Sequence, residues 1–175
     1  MEVAAMSHAS SRILSVPEDF APSAVTLSDI LRLRAERTPD TRAFLFLEGG
    51  AREGASLTFG ELDMRACAIA SRLTSHGLRG QQVLLLHPPG LEFVASFYGC
   101  LYAGCVAVPS YASLFNSRHL SRLQFIVRDA EVKLILGAAD SVNAFRQALS
   151  SDELSRLPAL LGADEVRNEE ANGWT

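Results

Sequence analysis

From Phe93 to Ser117 the chain carries no Asp, Glu, Lys or Arg, and its most apolar part, Phe93 to Pro109, is 17 residues long. Such a run can enter a bilayer, form a buried helix or form a buried strand. A spanning helix needs about 20 mostly apolar residues. This run is shorter and holds Ser96, Gly99, Gly104 and Pro109. It reads as a buried helix, Leu91 to Ala103, ended by Gly104, followed by a short strand, Cys105 to Val108, that stops at Pro109. No stable membrane insertion is expected. Just upstream, QVLLLH (Gln82–His87) is apolar without alternation, the pattern of a strand buried on both faces. Pro88-Pro89-Gly90 breaks it. A strand, a helix and a second strand in this order predict parallel pairing with a right-handed crossover.

The flanking segments supply the layers such a sheet needs. Residues 1–24 are rich in Ala, Ser and Pro without a period, and read as a mobile arm. Thr26 and Asp29 form a capping box ahead of Leu27, Ile30, Leu31 and Ala35, and Pro39 marks the stop. Arg42–Glu48 reads as a strand, Gly49-Gly50 as a turn, and a second strand through Leu57 completes a hairpin. Thr58 and Glu61 cap a helix whose Leu62, Ala66, Ile69, Ala70 and Leu73 share one face, with Gly77 at its end. A further helix (Asn116–Glu131), strand (Val132–Gly137) and helix (Asp140–Leu149) continue the alternation. Beyond it the chain turns polar, with one apolar interruption at Leu157–Leu161, and residues 162–175 read as an irregular tail where the chain is cut in mid-course. The expectation is α/β: a mainly parallel sheet with flanking helices and one early hairpin, the folded unit covering residues 25–161.

Charge and motifs exclude several functions. The net charge is −4, Lys133 is the only lysine, and the arginines are scattered, so no basic face for nucleic acid is expected. Cys67, Cys100 and Cys105 lie in apolar stretches, which fits reduced thiols in a cytoplasmic protein. No signal-peptide pattern opens the chain. No C-x-x-C or His/Cys pair at ligand spacing suggests a metal site. No G-x-G-x-x-G follows a strand, and neither a P-loop nor a G-x-S-x-G occurs.

What remains is a set of candidate pocket-mouth residues. His87 closes a buried strand, and in open parallel sheets ligands bind outside that end. The competing reading is an edge-of-sheet histidine bonded to backbone. Pro88, Pro89 and Gly90 form either a rigid turn or a shaped loop at a pocket mouth. Tyr111 stands at the equivalent end of the next strand, where it can line a pocket or cap the core. Arg118 and Arg122, four apart, read as a solvated helix face. No catalytic, cofactor-binding or metal-ligating residue is expected in this chain.

Four stretches carry a resemblance. LTFGELDMRACAIASRL (Leu57–Leu73) and LYAGCVAVPSY (Leu101–Tyr111) resemble the first conserved stretches of the adenylate-forming, AMP-binding superfamily. PPGLEFVASFYGCLYAG (Pro88–Gly104) and RLQFIVRDAEVKLIL (Arg122–Leu136) are similar to its fatty-acyl-AMP ligase branch. The resemblance runs from about Thr26 onward and implies the N-terminal portion of that fold. It implies an enzyme that joins a fatty acid to ATP, with Mg²⁺, and passes the acyl group to an acyl carrier protein in polyketide, lipopeptide or lipid assembly. In that family a Ser/Thr/Gly-rich loop, a lysine and Mg²⁺ stabilise the charge developing at the α-phosphate. None of these parts matches a position here, so the isolated chain is expected to be inactive. Ala112-Ser113-Leu114-Phe115 stands where relatives carry prolines. The alternative is a non-catalytic binding or docking module that keeps half of the fold. Under either reading, open sheet edges are expected to make the isolated chain poorly soluble.

Overall fold

The structure is a computed structural model that describes residues 26–111 and 117–174. The arm and the Ala112–Phe115 loop lie outside the described residues. The elements are α1 (Leu27–Arg37), β1 (Arg42–Glu48), β2 (Arg52–Thr58), α2 (Phe59–Ser75), β3 (Gln82–His87), α3 (Leu91–Tyr102) and β4 (Val106–Tyr111). They continue with α4 (Ser117–Asp129), β5 (Leu134–Gly137), α5 (Ala139–Gln147), α6 (Ser151–Leu154) and β6 (Ala159–Gly162). Two 3-10 segments follow, Ala163–Glu165 and Asn168–Gly173. β1 and β2 form an antiparallel hairpin. The other four strands form one parallel sheet in the order β4-β3-β5-β6.

β3 explains why its sequence does not alternate. Val83 and Leu85 face one core with Leu62, Ile69 and Leu73 of α2 and Ala95 and Cys100 of α3. Leu84 and Leu86 face a second core with Leu123 and Val127 of α4, Phe145 of α5 and Leu149 just past α5. All four β3 side chains are fully buried. The connection β3–α3–β4 steps to one side of β3 over the first face, and β4–α4–β5 steps back over the second, as one hand of crossover requires.

The helix starts follow their capping boxes. Thr26 accepts from the Asp29 amide at 3.1 Å, and Thr58 accepts from that of Glu61 at 3.2 Å. Gly77 and Gly104, past the ends of α2 and α3, have positive φ (69° and 67°). α2 and α3 approach closely at Gly99, where an added Cβ would stand 2.5 Å from Ile69 Cγ2.

Four sequence readings are corrected. β4 does not stop at Pro109 but runs to Tyr111. It is an edge strand, and a proline that donates no ladder bond is tolerated there. Leu157–Leu161 is the site of a fourth parallel strand, β6. α6, preceded by a Ser150/Glu153 capping box, is also new. The polar end of the chain is packed against the fold: Ala163 and Val166 are buried, and Trp174 lies against the first core. The apolar run Phe93–Pro109 divides between α3 and β4. α3 has 12 residues, about 18 Å at 1.5 Å per residue, short of a bilayer core of about 30 Å. Among the described residues no helix is long and apolar enough to cross a membrane.

The Gly99 approach yields a test. Gly99→Ala should destabilise the chain by about 1–3 kcal/mol through overpacking, read from the urea midpoint. Adding Ile69→Ala should return part of that loss. An unchanged midpoint for Gly99→Ala would contradict the observed helix separation.

Candidate functional site at the C-terminal edge of the sheet

The parallel strands end together on one side of the molecule. His87 of β3 pairs in register with Tyr111 of β4, Leu86 with Gly137 of β5, and Gly137 with Gly162 of β6. β3 leads into α3 on the first face, whereas its neighbour β5 leads into α5 on the second. Adjacent strands whose connections part to opposite faces leave a crevice at their carboxyl ends, where open α/β sheets bind ligands. Gly137 is needed there: an added Cβ would stand 2.3 Å from the Leu86 carbonyl oxygen and 3.1 Å from Val142 Cγ2.

The five candidate residues all lie on this edge, in different settings. His87 is 3% exposed, and among the described residues neither ring nitrogen has a hydrogen-bond partner. This differs from the expected edge-of-sheet histidine bonded to backbone, because β3 is an interior strand. Burial lowers its pKa to about 4, against the opposing influence of Glu92 and Asp164. The ring is therefore neutral at pH 7. Pro88 and Pro89 are exposed, and Gly90 is extended with open space where a Cβ would stand. Backbone strain does not require a glycine there. Tyr111 is 66% exposed, so it does not cap the core. It lines a cavity of about 180 Å³ with Ser110, His119 and Arg122. Arg122 is exposed, as a solvated helix face requires.

The central polar group of this region is one the sequence does not advertise. The Arg65 side chain, 12% exposed on α2, reaches Glu92 in the first turn of α3 at 3.1 Å. Its guanidinium also donates to the carbonyls of Ala163 at 2.8 Å and Val166 at 2.5 Å. Asp164, between those two carbonyls, accepts from the Ala139 amide at the start of α5 at 3.2 Å. Two further ties hold the same segment. Arg72 makes a two-pronged ion pair with Glu170, with contacts of 2.9 and 2.7 Å. Trp174 stacks on Tyr102, ring centroids 4.9 Å apart, with the Arg32 guanidinium 4.3 Å from the Trp174 ring centroid. The Tyr102 hydroxyl donates to Asp63 at 2.6 Å. Residues 163–174 thus form a strap across α2. Its α2 partners are about 100 residues away in sequence, so no local pattern announces them.

Arg65, Glu61, Glu92 and Asp164 line a cleft of about 600 Å³ with Leu57 and Met64. Its carboxylates would repel a triphosphate, and its one arginine is already engaged, so ATP does not fit there. Among the described residues no group of three or more His, Cys, Asp or Glu is placed to hold a metal ion. Burial raises the Cys67 thiol to about 11, with Asp63 adding to the effect, and burial also raises Cys100 and Cys105. The thiols are not nucleophiles at neutral pH.

A parallel sheet with helices on both faces, a hairpin ahead of it and a crevice at its carboxyl ends defines the class. The family model described as AMP-binding enzyme matches residues 31–174. The chain is 35% identical over 157 residues to the medium-chain-fatty-acid–[acyl-carrier-protein] ligase JamA of Moorena producens, which covers 87% of this chain and 26% of JamA. It is 32% identical over 147 residues to mouse disco-interacting protein 2 homolog B, covering 80% of this chain and 9% of that one. The crystal structure of the fatty acyl-adenylate ligase from L. pneumophila with acyl adenylate and pyrophosphate superposes with a TM-score of 0.71 at 32% identity, covering 85% of this chain and 25% of that one. The chain belongs to the AMP-binding enzyme family, in the branch of the fatty-acyl-AMP ligases. It spans about a quarter of the length of JamA and of the L. pneumophila ligase.

Two outcomes follow. For His87, the folded pKa near 4 lies below the value of 6.5 for a free ring. The unfolded chain therefore binds the proton first as the pH falls. The neutral ring's stabilisation is complete above pH 6.5 and is lost toward pH 4, by roughly 3 kcal/mol if fully expressed. Urea midpoints for His87→Phe should vary less over that window than those of the parent, and an equal slope would refute the assignment. For Arg65, replacement by Met leaves two carbonyls without their donor and should cost about 2–3 kcal/mol. Fluorescence of Trp174, the sole tryptophan, should shift to the red as the strap loosens. An unchanged spectrum and midpoint would show that Arg65 does not hold the strap.

Proposed function

We propose that this chain is the first part of an ATP-dependent fatty-acyl-AMP ligase. The whole enzyme would activate a fatty acid as its acyl-adenylate, using ATP and Mg²⁺, and hand the acyl group to an acyl carrier protein. The observation that carries this reading is the likeness to the L. pneumophila ligase, whose crystals contain acyl adenylate and pyrophosphate, with support from the named activity of JamA. In this reading the carboxyl edge of the sheet faces the remainder of the active site. His87, Pro88, Pro89, Gly90 and Tyr111 contribute wall and orientation, while the α-phosphate is stabilised by groups outside residues 1–175. A buried neutral histidine suits a wall because it adds shape without charge. Arg65 and Asp164 fix where the chain departs from β6, and so where the following segment meets this edge. The 175-residue chain alone is inactive in adenylation.

Fatty-acid-dependent ATP–pyrophosphate exchange tests the proposal. The chain alone should give background exchange. A chimera in which residues 1–175 replace the matching quarter of JamA should give exchange with medium-chain acids. Exchange by the chain alone would overturn the claim that the chemistry lies elsewhere. A folded chimera with no exchange would overturn the assignment to this reaction.

A further inference from the structure

The cavity between β4 and α4 has a polar rim to which adenylation assigns no role. Val108 of β4 packs against the second core, so by alternation Ser110 faces the same side, toward α4. Tyr111 alternates to the opposite face, so its phenol is not among the groups that meet α4. On α4, Leu123 is buried in that core and Ile126 packs against it. His119 stands one turn before Leu123, and Arg122 one turn before Ile126, so both continue this stripe past the end of the core. The stripe thus changes from apolar to basic where the sheet ends. Ser110, His119 and Arg122 meet round a cavity of about 180 Å³, with Leu123 and Ile126 as its floor.

No carboxylate lines this cavity. Its guanidinium is uncompensated: among the described residues Arg122 makes no hydrogen bond or ion pair, unlike Arg42, Arg65 and Arg72. His119 and Arg122 also lie in the first two turns of α4, where the helix dipole disfavours a cation, and the first turn holds no acid. A small hollow with an apolar floor and a few convergent polar groups has the composition of a ligand site.

We propose that this cavity binds a phosphate monoester of a short alkyl group. The unpaired charge selects an anion. A guanidinium fork fits two oxygens of a carboxylate or of a phosphate. Ser110 approaches from the strand, across the cavity from α4, so the donors stand on two sides. A carboxylate offers two oxygens in one plane. A phosphate monoester offers three in three directions and meets both sides at once. The volume of about 180 Å³ is below the roughly 300–1,000 Å³ of sites that enclose a whole drug-sized ligand. A nucleotide is therefore too large, and a phosphate with a few carbons fits. Leu123 and Ile126 give those carbons an apolar surface. The cavity lies on the other side of β3 from the crevice at β5. The proposal goes beyond adenylation, and binding is measured without turnover, so neither reading fails with the other.

Calorimetric titration of the 175-residue chain with butyl phosphate, inorganic phosphate and butyrate, in a phosphate-free buffer near neutral pH, tests the assignment. Butyl phosphate should bind one to one. Inorganic phosphate, lacking the alkyl contact, should bind about threefold or more weakly, and butyrate about tenfold more weakly. Arg122→Met should weaken butyl phosphate about tenfold or more, and Ser110→Ala about threefold. Arg128→Met, which removes an exposed cation from the other side of α4, should leave binding unchanged. Thermal melts matching the parent would establish that each variant is folded. No saturable heat with butyl phosphate up to about 10 mM, where a millimolar site is nearly saturated, would overturn the proposal. Binding indifferent to Arg122→Met would overturn it too, by placing the anion elsewhere. Butyrate as tight as butyl phosphate would overturn the choice of phosphate over carboxylate. Inorganic phosphate as tight as its butyl ester would overturn the alkyl contact and make free phosphate the ligand.

Discussion

The rest of the molecule depends on the burial of β3 on both faces. Four consecutive side chains, Val83 to Leu86, have no access to solvent. At about 1.5–3 kcal/mol each, their transfer from water is an upper-bound stabilisation on the order of 10 kcal/mol. That gain is available only if helices cover both faces. The first face is supplied by α2 and α3 and the second by α4 and α5. Putting the connections of β3 and β5 on opposite faces also opens the crevice at their carboxyl ends. The scaffold and the candidate site therefore have one cause.

The strap is the second consequence. The chain leaves β6 at the same edge and crosses α2, held by Arg65, by the Arg72–Glu170 ion pair and by Trp174, which stacks on Tyr102 and meets the Arg32 guanidinium. Arg65 matters most because it joins three elements: α2 through its own backbone, α3 through Glu92, and the strap through two carbonyls. Its side chain is nearly buried, so each of those bonds is formed in surroundings where leaving a partner unmatched is costly. The direction of the chain beyond residue 174 is thereby set by a group more than 90 residues upstream.

Elements governed by local rules were legible in the sequence. The capping boxes at Thr26 and Thr58 placed two helix starts, Gly77 and Gly104 two ends, and the unalternating QVLLLH the doubly buried strand. The failures also have physical causes. Pro109 breaks an interior strand but not an edge strand, and strand order is not a local property. β6 is four residues long, too short for a period to show. Of the candidate site, the sequence located the edge, since His87, Pro88–Gly90 and Tyr111 all lie along it. It was silent on Arg65 and Asp164, whose roles come from chain segments brought together only by folding.

In the proposed reading this chain builds the scaffold and edge of an acyl-adenylating enzyme and holds no complete adenylate site of its own. Calorimetric titration with a non-hydrolysable acyl-adenylate analogue tests it most directly. The 175-residue chain should give no saturable heat up to about millimolar analogue, a concentration that would reveal binding of about 4 kcal/mol. One-to-one binding with a micromolar Kd would contradict it, because a complete adenylate pocket would then lie within these residues.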